Sequence, residues 1–481
     1  MVQVPTGSSP ALAGAEGRPI VPGSSPSEAQ AVAPGSPSPA VYPASRAHLG
    51  PACLLIGLFL VYGVAAAPPE GVLAAWSRLL RAPCLVGTDF LALAGPAALV
   101  NAAVLGLIGL AIILLLRVDR PGYEVAGLSL WMGCGLIGKH VLNIWPTIAG
   151  VMLFRRVSGR SWRELFPPLF FGTTLAPVFS QYAFGAGLGP AGVALGLGLG
   201  VLAGFLLAAL MDHVYTFHLG QNLYNIGTAG GFVGIVIAMT MRGFGLENHP
   251  APTWSTAWSG PLTWLMGAFF LGLIGWGLAA GADGAGYLQM VRSSGRLPTE
   301  FIRLAGWGNT LVNMGIMGLI GLLYVRGVGG AVNGPTVAGM LALSGFGAMG
   351  KHPRNCLPIM AGVWAVCWPK IWAPADPGPL LAALFCTTLA PFCGRFGLLA
   401  GFVAGALHLP MVMHVGQIHG FLNLYNNGFA GGLTMMIVVG VLKGICPGVL
   451  GESNESARPA ASPVAIATLP EGGGTGAPAG R

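Results

Sequence analysis

Charged side chains are scarce in this chain. Only 8% of its 481 residues are Asp, Glu, Lys or Arg, and the mean hydropathy is +0.72. Soluble domains carry about a quarter charged residues, so this chain lacks the polar surface that keeps a protein in water. The net charge of +8 is spread along the chain. That distribution excludes a nucleic-acid-binding patch and suits positive loops on the cytoplasmic side of a membrane.

Motifs for metal, redox or catalytic chemistry are also missing. The eight cysteines stand far apart, at positions 53, 84, 134, 356, 367, 386, 393 and 446. No C-x-x-C pair, nucleophile-and-base pair, phosphate-binding loop or zinc-protease motif occurs, and GFGAMG (345–350) lacks the strand-turn-helix context of a dinucleotide site. We therefore expect no metal, no cofactor and no enzymatic activity.

Long apolar runs are abundant. Examples are VLGLIGLAIILLL (104–116) and VLAGFLLAALM (201–211). A bilayer span needs about 20 mostly apolar residues. Only helices and closed barrels satisfy the backbone in lipid, and barrel strands would alternate apolar with polar residues, which these runs do not. The sequence predicts an all-α, multi-pass membrane protein.

The two ends of the chain have a different composition. Residues 1–48 and 449–481 are rich in Pro, Ser, Ala and Gly, with few large apolar side chains. Such segments cannot bury enough apolar surface to offset chain entropy, so we predict two disordered tails. The first tail lacks a positive segment followed by an apolar core, and no signal peptide is expected.

Between the tails the sequence repeats itself. GKHVLNIWPTIAG (138–150) returns as GKHPRNCLPIMAG (350–362), and TTLAP also occurs twice. Six of the nine histidines and two of the four lysines fall into matched pairs, which chance does not explain. The chain is predicted to be a tandem duplication, roughly 50–245 and 262–447. The matched polar pairs are Asn101 and Asn313, Lys139 and Lys351, His140 and His352, His213 and His414, and His218 and His419.

Each copy predicts five or six spans, so the fold is about 10–12 transmembrane helices in two homologous repeats with broken or re-entrant segments. A Gly-rich broken stretch holds the GKH phrase. If it crosses the bilayer, the copies are parallel; if it is a re-entrant hairpin, they are inverted. Basic loops after the first span of both copies favour the parallel arrangement, because positive loops face the cytoplasm. Those residues are Arg78, Arg81, Arg292 and Arg296.

The strongest candidate for function is the phrase H-x4-H-x3-N-L-Y-N-x-G. On one helix, His218, Asn222 and Asn225 would form a polar stripe at i, i+4 and i+7. Such a stripe would line a pathway for a solute or a proton, since polar groups avoid lipid. The alternative is a set of interhelical hydrogen bonds that only fix packing. The full set in the two copies is His213, His218, Asn222, Tyr224, Asn225, His414, His419, Asn423, Tyr425 and Asn426.

A metal site at this phrase is disfavoured. Two histidines per copy form a thin ligand set, and H-x4-H does not place both rings on one helical face. Asp212 could join His213, but the second copy has Met413 at that position. A duplicated metal site would need a duplicated carboxylate.

The second candidate is the phrase GKHxxNxxP. Lys139 or Lys351 near mid-membrane would cost roughly 2.5–3.5 kcal/mol and would need partners. The functional interpretation is a broken helix whose lysine attracts an anion or a carboxylate beside a cavity. The alternative is a surface turn whose lysine reaches water. The candidate residues are Lys139, His140, Asn143, Lys351, His352 and Asn355.

Two further patterns have structural explanations. Gly192, Gly196, Gly200 and Gly204 form a ladder of small residues that lets another helix approach closely, and Gly397, Gly401 and Gly405 answer it in the second copy. Asp89 and Glu300 follow threonines at predicted helix starts, where acids suit the helix dipole.

The paired NLYNxG, GKH and TTLAP phrases resemble a bacterial family of multi-pass membrane proteins known as domain of unknown function 1576. The resemblance covers roughly residues 50–447. It implies an integral protein of a bacterial membrane and carries over no activity or site residues.

The sequence thus favours a transporter or channel for a small polar solute or ion, in the bacterial cytoplasmic membrane, with the lipid bilayer as its surroundings. A structural or assembly membrane protein and an intramembrane enzyme are the alternatives. The two NLYN phrases are predicted to face each other, or one cavity, across a pseudo-two-fold axis, because buried amides and imidazoles need partners. An oligomer is left open.

Overall fold

The computed structural model describes residues 46–446. Within that range all regular secondary structure is helical, which confirms the all-α prediction. The predicted tails, 1–48 and 449–481, lie outside the described residues except at 46–48. There a 3₁₀ turn, Ala47–Leu49, precedes the first helix.

The two copies contain the same helices in the same order. The first copy has α1 (Gly50–Ala65), α2 (Val72–Leu80), α3 (Phe90–Ala94), α4 (Ala97–Leu116), α5 (Pro121–Cys134), α6 (Ile144–Ser158), α7 (Trp162–Phe171), α8 (Ala176–Ser180), α9 (Pro190–His218) and α10 (Asn225–Gly243). The second has α11 (Ser259–Ala279), α12 (Gly284–Arg292), α13 (Phe301–Ala305), α14 (Trp307–Gly327), α15 (Gly334–Gly345), α16 (Pro353–Cys367), α17 (Pro377–Phe385), α18 (Ala390–Phe396), α19 (Leu398–Ile418) and α20 (Asn426–Ile445).

Nine helical segments in the described part of the chain are long and apolar enough to cross a bilayer. Eight of them are α1, α4, α9, α10, α11, α14, α19 and α20. The ninth, Pro377–Phe396, joins α17 and α18 across the 3₁₀ turn Cys386–Leu389. In the first copy α7 and α8 flank the equivalent turn, Gly172–Leu175, and they occupy the position that corresponds to this ninth segment. The chain is a multi-pass membrane protein.

The glycine ladder lets α9 lie directly against α6. A side chain at Gly204 would overlap the Thr147 carbonyl, and one at Gly200 would meet the Pro146 ring. In the second copy Gly405 lies as closely against the Ile359 carbonyl. The close helix approach that the spacing predicts is therefore present in both copies.

The equivalent helices α4 and α14 run in opposite directions. Asp119, just after α4, forms an ion pair with Arg303, just before α14 (3.2 Å). Asp89, ahead of α4, accepts a hydrogen bond from the Ser255 backbone N–H (2.8 Å). The Ser255 carbonyl in turn accepts one from Asn333, beyond the end of α14 (3.1 Å). A 20-residue helix is about 30 Å long, so contacts at both ends fix an antiparallel pair.

Helices α5 and α15 show the same antiparallel relation. Gly122, at the start of α5, faces Ala348 and Met349 just after the end of α15. Reciprocally, Gly334 at the start of α15 faces Leu136 just after the end of α5. A two-fold axis relating such helices is perpendicular to them, and therefore lies in the plane of the membrane.

The repeats are inverted, and the weak indication of parallel copies was wrong. Inversion requires an odd number of spans per copy, so each copy has five and the broken stretch α5–α6 is a re-entrant hairpin. Loop charge misled because basic residues border both faces of this chain. Some are also paired with acids, as Arg78 is with Glu70 and Arg160 with Asp212.

Reporter fusions test this topology. A reporter that is active on only one side of the membrane, fused after Asp119 or after Ala331, is expected to give opposite signals, because these equivalent points lie on opposite faces. A fusion after Ser161 serves as the internal control for the hairpin and should match the Asp119 signal. Identical signals after Asp119 and Ala331 would restore the parallel arrangement.

Candidate functional site at the repeat interface

The NLYN phrases are helix breaks, which corrects the predicted stripe. Helix α9 ends at His218 and α10 begins only at Asn225, so His218, Asn222 and Asn225 do not share one helix. The chain turns at Leu219, which has a left-handed backbone (φ 51°), and at Gly220 (φ 77°). This is a common way for helices to end.

The second copy breaks in the same way. Helix α19 ends at Ile418 and α20 begins at Asn426, with left-handed residues at Gly420 (φ 60°) and Phe421 (φ 59°). His419, Asn423 and Asn426 are therefore also on different elements. The helical periodicity that suggested a stripe does not continue through either break.

Within each break the histidine holds the next helix start. The His218 Nε2 atom lies 2.9 Å from the Asn225 Oδ1 atom, and the Asn225 amide donates to the Met211 carbonyl (2.9 Å). His419 and Asn426 make the same pair at 2.9 Å. Both histidines are fully buried. These four residues tie together helices of their own copy.

Asn222 and Asn423 instead reach across to the other copy. The Asn222 amide donates to the Gly428 carbonyl (3.1 Å), and the Asn423 amide donates to the Gly227 carbonyl (2.8 Å). Both asparagines are fully buried. Gly227 and Gly428 are themselves in direct contact, so the first turns of α10 and α20 meet at the pseudo-two-fold axis.

The threonines of the TTLAP phrases complete this network. The Thr174 hydroxyl donates to the Asn423 Oδ1 atom (2.7 Å) and accepts from the Tyr425 backbone N–H (2.8 Å). Thr388 makes the same two bonds with Asn222 and Tyr224. Sequence reasoning used TTLAP only to align the copies. Its exact recurrence was the available signal for these interface residues.

The two lysines of the GKH phrases lie beside this crossing point. Lys139 and Lys351 are fully buried, which excludes a surface turn with a lysine reaching water. The Lys351 Nζ atom donates to the Tyr224 hydroxyl (2.6 Å), and Lys139 Nζ to the Tyr425 hydroxyl (3.3 Å). Each lysine therefore pairs with a tyrosine of the opposite copy. Among the residues described, neither has a carboxylate within 4 Å.

Aromatic rings surround both ammonium groups. Lys351 Nζ lies 4.7 Å from the centre of the Tyr224 ring and 5.1 Å from that of Phe346. Lys139 Nζ lies 5.1 Å from the centre of the Tyr425 ring. The two tyrosine rings are 6.5 Å apart. The result is a continuous row, Lys139–Tyr425–Tyr224–Lys351, across the interface; we call it the lysine–tyrosine row.

Asparagines hold each lysine turn in place. The Asn101 amide donates to the carbonyls of Gly135 (2.7 Å) and Lys139 (2.8 Å). Asn143 accepts from the His140 backbone N–H (2.9 Å). Asn313 and Asn355 make the equivalent bonds around Lys351. Asn101 and Asn313 were noted from sequence only as a matched pair, because their partners lie 34 and 38 residues further along the chain.

The remaining predicted residues lie away from the row. His140 bonds to Ser180 (3.1 Å) and His352 to the Ser293 carbonyl (3.0 Å). His213 and His414 are exposed, and their rings lie edge-on to Phe217 and tilted against Trp372, respectively, within their own copies. The structure does not bring His213 and His414 to the interface. No group of three or more potential metal ligands occurs within 46–446.

Acidic side chains bind the copies together outside the spans. Asp89 caps α3 by accepting from Leu91 N–H (2.9 Å) and also contacts Gly334 at the start of α15. Burial raises the pKa of Asp89 to about 6, against the effect of its backbone hydrogen bonds. Glu300 contacts Gly122 at the start of α5. Burial also raises the pKa of Glu300, although the Arg303 charge opposes this.

The fold and the interface define a membrane protein of two inverted repeats, and the NLYN phrases of the two repeats meet at one internal crossing. The chain belongs to the family described as "Protein of unknown function (DUF1576)", whose model matches residues 69–243 and 282–444. Each matched region starts after the first span of a copy, and both contain the GKH, TTLAP and NLYN phrases. No curated protein and no solved structure matches the chain.

Proposed function

We propose that the protein is a transporter or channel for a small polar solute or ion, in the cytoplasmic membrane of a bacterium. The lysine–tyrosine row is the observation that carries the proposal. A lysine at membrane depth costs a few kcal/mol, and such residues mark substrate or ion pathways far more often than they stabilise a fold. Lys139 and Lys351 are both held there without a neutralising carboxylate.

The position of the row supports the same proposal. Transporters with inverted repeats bind their solutes at the repeat interface, near broken helices whose ends point at the solute. Here the row lies between two helix breaks and two re-entrant hairpins, one of each from each copy. Rocking of one repeat against the other would part Tyr224 from Tyr425 and exchange the side from which the row is reached.

The assembly alternative rests on a different set of contacts. His218 with Asn225, and Asn222 with Gly428, are satisfied hydrogen bonds of the kind that fix helix packing. They do not require a positive charge. A role in packing alone does not explain the lysines. Methionine or leucine would fill the same space without the free-energy cost of desolvating a buried charge.

Uptake by the purified protein in liposomes tests the proposal. Labelled neutral solutes, amino acids, cations and anions are offered to protein-containing and empty vesicles, and at least one is expected to accumulate only with protein. Mass spectrometry of the accumulated solute should show it chemically unchanged, since the proposal excludes an enzyme. A folded protein that moves none of the solutes favours the assembly alternative.

A further inference from the structure

We infer that the solute is a small oxyanion, with a carboxylate, phosphate or sulfate group, held between Lys139 and Lys351. The inference rests on the proposed function and adds the class of solute. Every group in the lysine–tyrosine row either carries a positive charge or can donate a hydrogen bond, since each tyrosine hydroxyl that accepts from a lysine keeps its own O–H. A cation would meet two ammonium groups and no carboxylate among the described residues within 4 Å of them.

The present bonds of the lysines show how an oxyanion would bind. Each ammonium group has three N–H donors. Lys139 has one hydrogen-bond acceptor, the Tyr425 hydroxyl, and Lys351 has the Tyr224 hydroxyl and a long contact to the Ala342 carbonyl (3.5 Å). Two lysines and two tyrosine hydroxyls can therefore offer several donors to one oxyanion when the tyrosines part.

The N-terminal ends of α10 and α20 add to the positive electrostatic potential around the lysine–tyrosine row. They meet at Gly227 and Gly428, next to the tyrosines of the row. Helix starts carry partial positive charge and unpaired N–H groups, which favour anions. The contribution of these helix starts is smaller than that of the buried lysines, which already make the site positively charged.

A small cavity beside His352 supplies an independent observation. Its volume is about 30 Å³, enough for one water molecule, and Ser293, Arg354 and Cys393 help to line it. His352 is almost fully buried, and its Nδ1 atom has no hydrogen-bond partner among the described residues. Since His352 follows Lys351 directly, this cavity adjoins the turn that holds Lys351.

The residues at this cavity differ between the two copies. At the positions equivalent to Arg354, Cys393 and Gly394, the first copy has Leu142, Phe179 and Ser180. There Ser180 bonds to His140. The second copy has the smaller Cys393 and Gly394 in place of Phe179 and Ser180, and Arg354 in place of Leu142, which puts positive charge at the cavity. This is the expected composition of an anion entrance.

The test uses the same vesicles with acetate, succinate, phosphate and sulfate as oxyanions, and with urea, glycerol and potassium for comparison. At least one oxyanion is expected to be taken up, and the four compounds distinguish carboxylates from phosphate and sulfate. Uptake of only neutral solutes or cations overturns the inference while the transport function stands. No uptake of any compound overturns the proposed function itself.

A matched pair of arginine variants tests the entrance. Arg354→Leu restores the residue of the first copy and is expected to slow oxyanion uptake several-fold at low concentration. Arg156→Leu, at an exposed site on α6, should leave the rate unchanged. Equal rates for both folded variants would remove the entrance from the inference. If Arg354→Leu does not fold, inhibition of wild-type uptake by excess unlabelled oxyanion, but not by urea, decides the class of solute alone.

Discussion

Replacing both buried lysines with methionine is expected to abolish uptake while leaving the protein folded. Methionine has nearly the volume of lysine without its charge, so the packing around positions 139 and 351 is retained. Each substitution would remove one charge-assisted hydrogen bond to the solute, which is worth about 1.5–3 kcal/mol. That corresponds to about a ten- to hundred-fold loss of affinity for each lysine.

The stability of the same variants separates pathway from packing. Replacing a buried charge with an apolar residue is often neutral or stabilising, so Tm in detergent should be unchanged or higher. Lys370→Met is the matched control, because Lys370 is exposed and far from the lysine turns in the sequence. Full uptake by a folded variant lacking Lys139 and Lys351 would show that the lysine–tyrosine row is not part of the pathway.

Tyr224→Phe, which keeps the ring and removes the hydroxyl, should reduce uptake less than the loss of both lysines does.

The repeated polar phrases predicted that the chain contains two copies of one unit. In a chain with nine histidines and four lysines, it is improbable that chance would produce two pairs 212 residues apart (351 − 139 and 352 − 140) and two pairs 201 apart (414 − 213 and 419 − 218). Apolar runs then defined the spans. The relative direction of the copies could not be obtained in this way, because basic residues border both faces. The contacts at both ends of α4 and α14, including the Asp119–Arg303 ion pair, fix that direction.

The lysine–tyrosine pairing lies beyond any local sequence rule. Lys139 and Tyr425 are 286 residues apart, and Lys351 and Tyr224 are 127 apart. Aligning the two copies identifies equivalent residues, but it does not show which residues are in contact. Both tyrosines lie within the helix breaks, and each contacts the lysine of the opposite copy.

The helix breaks themselves left a usable signal. A glycine follows each phrase-forming histidine within two residues, at Gly220 and Gly420. Glycine just beyond a helix end commonly takes the left-handed conformation that terminates the helix. These glycines, rather than the 3.6-residue periodicity, correctly predict a helix end at His218 and a new helix start at Asn225.

Gly428→Val is expected to destabilise the protein strongly by separating the two repeats at their axis. A Cβ atom at Gly428 would lie 2.9 Å from the Tyr224 Cβ atom and 3.1 Å from the Gly227 Cα atom. Neither neighbour can move away, since one is backbone and the other is close to it. Overpacking of this kind costs about 1–3 kcal/mol. The shift would also lengthen the hydrogen bond from Asn222 to the Gly428 carbonyl.

The chain offers a control on the same helix. Gly440 lies on α20 with open space where its side chain would be, so Gly440→Val changes helix propensity equally without a clash. Thermal unfolding in detergent should therefore give a clearly lower Tm for Gly428→Val than for Gly440→Val. The pseudo-symmetry supplies a replicate, because Gly227→Val should behave like Gly428→Val. Equal Tm values for Gly428→Val and Gly440→Val would contradict the direct contact of α10 with α20. They would also contradict the packing of the two copies that brings each tyrosine to the lysine of the other copy.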